Sequence, residues 1–169
     1  MVKPLVLFTG FQTSEAVNST SCSLVDYLDG RIFPDFIASG RVLRGTNHPI
    51  ESEISAHIHN LKPDVVVNLG DLTCSTNTIR VPGFAMEGTL RRDSTLPIAA
   101  IMQQASCGLR ADDLPPENAL HNSAMAYTLA ECRRNNILTA GLVELPAPSE
   151  AVRQMVYAIG QISVAFYRP

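Results

Sequence analysis

Residues 62–81 read KPDVVVNLGDLTCSTNTIRV, and the reading of this stretch decides the fold. The run Val65, Val66, Val67, Asn68, Leu69 is too short for a helix. It also lacks the apolar–polar alternation of a strand wetted on one face, so it reads as a parallel strand covered on both faces. Gly70 ends it. In an open parallel sheet, ligands gather beyond the carboxyl ends of the strands, which makes Asp71 to Asn77 the first place to look for function.

Working outward, short apolar runs alternate with amphipathic stretches along the whole chain, with no internal repeat and no Gly/Ser-rich linker. That is the pattern of one α/β domain over residues 1–169. Strands are predicted at Leu5 to Phe8, Asp35 to Leu43, Val65 to Leu69, Ala119 to His121 and Ile137 to Leu145, with a short extended excursion over Thr78 to Met86. Helices are predicted between them. The first covers Thr20 to Leu28. The second covers Pro49 to Leu61, with proline in its first turn and Ile50, Ile54, His57, Ile58 and Leu61 at helical spacing. Ser94-Thr95 can cap a third over Leu96 to Ala105, and Asn122-Ser123 a fourth that runs to Asn135-Asn136. Ser149 opens the last, with Val152, Val156, Ile159 and Val164 behind it.

Composition narrows the function classes. The chain has 169 residues, 46% of them hydrophobic and 17% charged, which is enough for a real core. A formal net charge of -3 without a basic stripe gives no reason to expect nucleic acid. No apolar run has the length of a bilayer span, and the N-terminus passes straight into a strand pattern instead of a signal-peptide layout. Cys22, Cys74, Cys107 and Cys132 stand far apart, which reads as reduced thiols in a cytoplasmic protein. His57 and His59, two apart on a helix, face different ways, so no metal and no cofactor is expected.

Individual residues stand out for their chemistry. Glu144, near the end of a central strand, must be solvated, paired or put to use. Asp71 either contacts a ligand or bonds its own backbone. Cys74 is a nucleophile only with a base beside it. Arg80, Arg91, Arg92 and Asp93 read as one polar cluster around a shortened loop: a solvated rim, a subunit contact or an anion-binding group. His121, at a strand-to-helix turn next to Asn122, is the one histidine that belongs on a list of site residues.

Taken in order, several stretches resemble the pyroglutamyl peptidase I (pyrrolidone-carboxylate peptidase) family of cysteine peptidases. They are LFTGF at 7–11, EAVNS at 15–19, KPDVVVNLG at 62–70, STLPIAAI at 94–101, HNSAMAY at 121–127 and GLVELPAPSE at 141–150. The resemblance implies a three-layer α/β sandwich, with a twisted, mostly parallel central sheet and helices on both faces. It also implies a pocket for a small amide, lactam or amino-acid-like ligand, with Phe11, Asn18, Gly70, Asp71, Cys74, His121, Asn122, Leu129 and Glu144 around it. Neither nucleic acid nor membrane enters as a partner, and a homo-oligomer is compatible with the family.

The family's Cys, His and Glu triad relies on a thiol held at a helix N-terminus, a histidine that moves the proton, and a carboxylate that orients the histidine. Aligned by the motifs above, those positions fall on Leu129, Glu144 and Pro82: leucine cannot attack a carbonyl, proline has no side-chain acceptor, and a glutamate serves as general base only if burial raises its pKa. Cys132, one turn beyond Leu129, would sit about 4 to 5 Å deeper by helix rise. The family's second clamp phenylalanine is matched by Ser14. The segment before STLP, Glu87 to Asp93, is short where the family has a covering loop. The expectation is a diverged, pseudoenzyme-like binding or regulatory module. The alternative is an enzyme acting on a small amide or lactam, with Glu144 and Asp71 as acid and base. An active pyroglutamyl peptidase ranks last.

Overall fold

The computed structural model describes residues 2–12, 19–44, 49–72, 77–104, 108–116 and 118–167. In chain order the elements are β1 (Leu5–Phe11), α1 (Thr20–Leu28), β2 (Ile37–Leu43), α2 (Ile50–Leu61), β3 (Val65–Asp71), β4 (Ile79–Pro82), β5 (Phe84–Glu87), β6 (Leu90–Asp93), α3 (Ile98–Gln103), β7 (Leu109–Asp112), α4 (Ala119–Arg134), β8 (Thr139–Leu145) and α5 (Glu150–Tyr167). Six strands form one sheet in the order β2-β1-β3-β8-β4-β7, and β5 pairs with β6 in a separate hairpin. In the large sheet β2, β1, β3 and β8 run parallel, whereas β4 runs antiparallel to β8.

β3 lies between β1 and β8, and Val65, Val66, Val67 and Leu69 are wholly buried. Alternation sends successive side chains to opposite faces. Val65, Val67 and Leu69 pack with Leu24 and Val25 of α1 and Val156 and Ile159 of α5. Val66 packs on the other face with Ile54 and Ile58 of α2 and Met125 of α4. Both faces are therefore covered, which is why the run is continuously apolar. Its one polar member is satisfied within the core: Thr9 Oγ1 donates to Asn68 Oδ1 at 2.6 Å, and Asn68 Nδ2 donates to Thr128 Oγ1 at 2.9 Å.

The helix and strand limits follow local chemistry. Ser19 Oγ accepts from the Cys22 amide at 3.1 Å and starts α1 where the sequence places it. α2 closes with Lys62 in the left-handed region, φ 48°, its amide bonded to the Ile58 carbonyl.

Three expectations need correction. Ala119 to His121 is the first turn of α4 and not a strand, because Asn118 Oδ1 accepts from the Leu120 and His121 amides at 2.8 and 3.4 Å and starts the helix earlier. That also displaces Asn122-Ser123 as the cap. α3 begins at Ile98, because Thr95 is used instead to tie the loop to β8, its Oγ1 accepting from the Ala140 amide at 2.8 Å. Finally, Thr78 to Met86 is two strands, β4 and β5, and Glu87 to Asp93 completes a tight hairpin with β6.

Candidate functional site

The register of the central sheet builds the site. Gly70 of β3 pairs with Glu144 of β8, and Glu144 in turn stands opposite Arg80 of β4. All three lie in one row across the sheet. Alternation turns Glu144 to the same face as Leu142, the face covered by α4. The early start of α4 puts His121 in its first turn, over this row.

Four charged or polar side chains meet there. The Arg80 guanidinium donates from Nη1 to Glu144 Oε2 at 2.6 Å, from Nε to Asp112 Oδ2 at 2.7 Å, and from Nη2 to the Pro115 carbonyl at 2.9 Å. Glu144 Oε1 lies 3.1 Å from His121 Nδ1. Arg80, Glu144 and His121 are 6%, 2% and 4% exposed, so this is an interior ion network and not a solvated rim. Burial opposes the Arg80 charge, but the hydrogen bonds it donates to Asp112 and Glu144, together with their charges, outweigh it and raise its pKa. Asp112 is shifted the opposite way: burial works against its charge, yet Arg80, helped by Arg110, holds it below the usual carboxylate range.

Fixed contacts on several sides hold the His121 ring. A Cβ added to Gly70 would stand 2.6 Å from Cε1 and 2.7 Å from Nδ1, so only glycine leaves room for the imidazole over β3. The Phe11 ring lies 5.3 Å away, centroid to centroid, at 32°. The next residue, Asn122, faces elsewhere: it accepts from the Met86 amide at 2.8 Å and donates to the Met86 carbonyl at 2.7 Å, tying α4 to β5.

The remaining sequence candidates separate from this centre. Asp71 serves the N-terminus of α1, accepting from Ser19 Oγ at 2.5 Å and from the Ser21 amide at 2.8 Å. Leu129 sits eight residues beyond His121, about 12 Å along the helix by its rise, and packs in the core with Leu142 and Ile58. Pro82 ends β4, buried and paired in register with Asp112. Asn18 and Cys74 lie outside the described residues.

The supposed cluster of Arg80 with Arg91, Arg92 and Asp93 does not form. Arg91 bonds Asp93 and Asp113 and stacks over Phe84 at 3.9 Å, Arg92 bonds Glu87, and both belong to the hairpin. Arg80 points inward from a different strand. Its role, and that of Asp112, escaped sequence reasoning. A signal existed in the isolated arginine between Ile79 and Val81, an alternating position in an otherwise apolar strand. Without knowing that β4 borders β8, nothing pointed to its partner.

Among the described residues, the hydrogen-bond and ion-pair partners of Arg80, Glu144 and His121 include neither Cys22 nor Cys132. Burial raises the Cys22 thiol pKa, with the Ser19 hydrogen bond pulling the other way. Burial, with a smaller contribution from Glu131, pushes the Cys132 thiol up to about 12. Because the folded state holds this proton more tightly than the unfolded chain, the stabilisation is complete below the unfolded thiol pKa of about 8.5 and is lost as pH rises toward 12. Urea midpoints measured from pH 8 to 10.5 should therefore fall more steeply for the native chain than for Cys132→Ala. The difference should approach about 1.4 kcal/mol per pH unit. Parallel curves would refute the assignment.

No protein-family model matches the sequence, and no curated protein matches it. Solved structures do. Pyrrolidone carboxyl peptidase from Thermococcus litoralis superposes with a TM-score of 0.87 at 20% identity, covering 96% of this chain and 94% of that one. Two point mutants of the pyrrolidone carboxyl peptidase from the hyperthermophile Pyrococcus furiosus superpose with TM-scores of 0.84 and 0.85 at 18% identity, over 96% and 97% of this chain and 99% and 100% of theirs. The fold is that of the pyrrolidone carboxyl peptidases. The mostly parallel sheet between two helical layers is the architecture expected from the motif order. Among the described residues, no helix is long and apolar enough to cross a membrane.

Proposed function

We propose that this chain is a diverged relative of the pyrrolidone carboxyl peptidases that lacks their cysteine peptidase triad and acts as a binding or regulatory module for a small amide, lactam or amino-acid-like ligand. The observation that carries this reading is the Arg80–Glu144–His121 network. A nucleophile activated by a helix dipole must stand in the first turn, where the effect is felt. On α4 that turn holds His121, whereas Leu129 lies two turns further on. We therefore place the triad positions at His121, Glu144 and Arg80, in preference to Leu129, Glu144 and Pro82. On this placement an imidazole replaces the thiol, a carboxylate replaces the imidazole, and a guanidinium replaces the carboxylate. The interaction network is kept with its charges rearranged, and no thiol remains in it to form an acyl-enzyme.

The alternative pair of acid and base, Glu144 with Asp71, gains no support, because Asp71 is committed to α1 and Glu144 to Arg80 and His121. An enzymatic reading survives in a changed form: the contact between Glu144 and His121 is the kind that orients an imidazole for proton transfer.

Purified protein should release no chromophore from a pyroglutamyl amide. Turnover abolished by iodoacetamide would refute the proposal, since it would require a working thiol.

A further inference from the structure

We propose that the outer edge of β6 is a docking site for an extended acidic peptide, which adds a third strand to the β5–β6 hairpin over the last turns of α4. The inference is independent of the reading given to the Arg80–Glu144–His121 centre, none of whose side chains lines this groove.

The hairpin has one edge satisfied and one open. Asn122 engages both the amide and the carbonyl of Met86, so these groups point away from β6, and Met86 and Arg91 form a non-hydrogen-bonded pair. In such a pair the groups of the partner also point outward. The amide and carbonyl of Arg91 therefore face the far edge, and those of Asp93, two residues on and opposite Phe84, face it with them. Among the described residues neither amide has an acceptor, and an open edge of this kind is a template for another strand. Beside it lies a cavity of about 730 Å³ between β6 and the last turns of α4. The order along α4 follows the order across the hairpin: Asn122 holds β5, whereas Leu129 and Cys132, further along the helix, line the cavity with β6. This is the position that the next strand of the hairpin would take. Leu129, Cys132 and Ile137 give it an apolar wall, and Leu90 and Leu138, 52% and 70% exposed, border it. An extended peptide docked on a strand edge gains affinity from its main chain and seats alternate side chains in such a groove.

Charge selects the peptide. The chain carries a net charge of -3, yet this groove is lined by Arg91, Arg92 and Arg133 against the carboxylate of Asp93. Asp93 and Asp113 engage Arg91, and Glu87 engages Arg92. Arg133 has no ion-pair partner among the described residues, Glu131 being taken by Arg134. Acidic side chains of a peptide meet this excess of cations. A second copy of the chain, pairing through its own β6, would instead bring two more arginines to the groove, and like charges placed together oppose association.

The test uses the full chain and a blocked hexapeptide of alternating leucine and glutamate. Hydrogen exchange followed by NMR should show the Arg91 and Asp93 amides slowed when this peptide is added. The same peptide with lysine in place of glutamate should bind at least about tenfold more weakly, because it sets like charges together. Arg133→Ala, at an exposed position that the fold does not depend on, should weaken the acidic peptide about threefold, the range of one exposed ion pair. Absence of binding, equal binding of the lysine peptide, or binding that leaves the Arg91 and Asp93 amides unchanged overturns the proposal. So does protection of those amides that rises with protein concentration in the absence of peptide, since a second copy would then occupy the edge. The pyroglutamyl amide assay bears on the proposed function alone, and neither result decides the other.

Discussion

Replacing Arg80 with methionine should cost about 3–5 kcal/mol of stability, the usual penalty for removing one partner from a buried ion pair. The loss arises less from the attraction forgone than from what remains. Glu144, 2% exposed, would keep His121 as its hydrogen-bonding side chain, and Asp112 would depend on Arg110 at the rim. An uncompensated carboxylate in such surroundings is far from its preferred solvent. The double variant Arg80→Met/Glu144→Gln removes both charges while leaving a carbonyl oxygen to accept from His121 Nδ1. It should recover at least half of the single variant's loss. Urea unfolding of the two variants and Glu144→Gln completes the cycle. A single-variant loss below about 1 kcal/mol, the range of an exposed pair, would mean that the network contributes no more than a surface contact.

The second large effect lies at Gly40, and comparison with Gly70 makes it diagnostic. A Cβ at Gly40 would run into the Val25 carbonyl oxygen and stand 2.9 Å from its carbon, so the obstacle is the backbone of α1 lying on β2. Backbone cannot rotate away. Gly40→Ala should therefore separate α1 from the sheet at a cost of about 3 kcal/mol or more, the upper end for overpacking. At Gly70 the obstacle is the His121 ring, a side chain. Gly70→Ala should cost about 1–3 kcal/mol, and adding His121→Ala should relieve most of the clash. Thermal or urea unfolding distinguishes the cases. Equal losses for Gly40→Ala and Gly70→Ala, with no relief from the second substitution, would contradict the described packing.

These two glycines show how uneven the legibility of the sequence is. Both sit in strands, and nothing in the local sequence says that one accommodates a helix backbone and the other an imidazole ring. The strands and helices themselves were readable because burial imposes a period on the residues that carry it. Val65 to Leu69 announces a doubly covered strand, and Ile54 and Ile58 announce the inner face of α2. Errors cluster where a short polar side chain decides a boundary. Asn118 caps α4 one residue before Ala119, so residues with a strand-like local pattern form the helix's first turn and His121 stands on the helix instead of at a turn. β7, four residues with two of them exposed, is too short to leave a pattern.

The candidate site divides along the same line. By itself the sequence determined the α/β class and the central place of residues 65–69, and it singled out Glu144, Gly70, Phe11 and His121 as candidates near the strand ends, because each follows from local pattern or motif order. The tertiary structure alone decided that Glu144 is bound by Arg80 from a strand 64 residues earlier and by His121 from a helix 23 residues earlier. It likewise decided that Asp71 and Asn122 turn to other tasks. The physical reason is that periodicity records which face of an element is buried, whereas the partner of a buried charge is set by strand order and register. Here β4 reaches β8 antiparallel, with Arg80 opposite Glu144, and that pairing leaves no trace in the spacing of either segment.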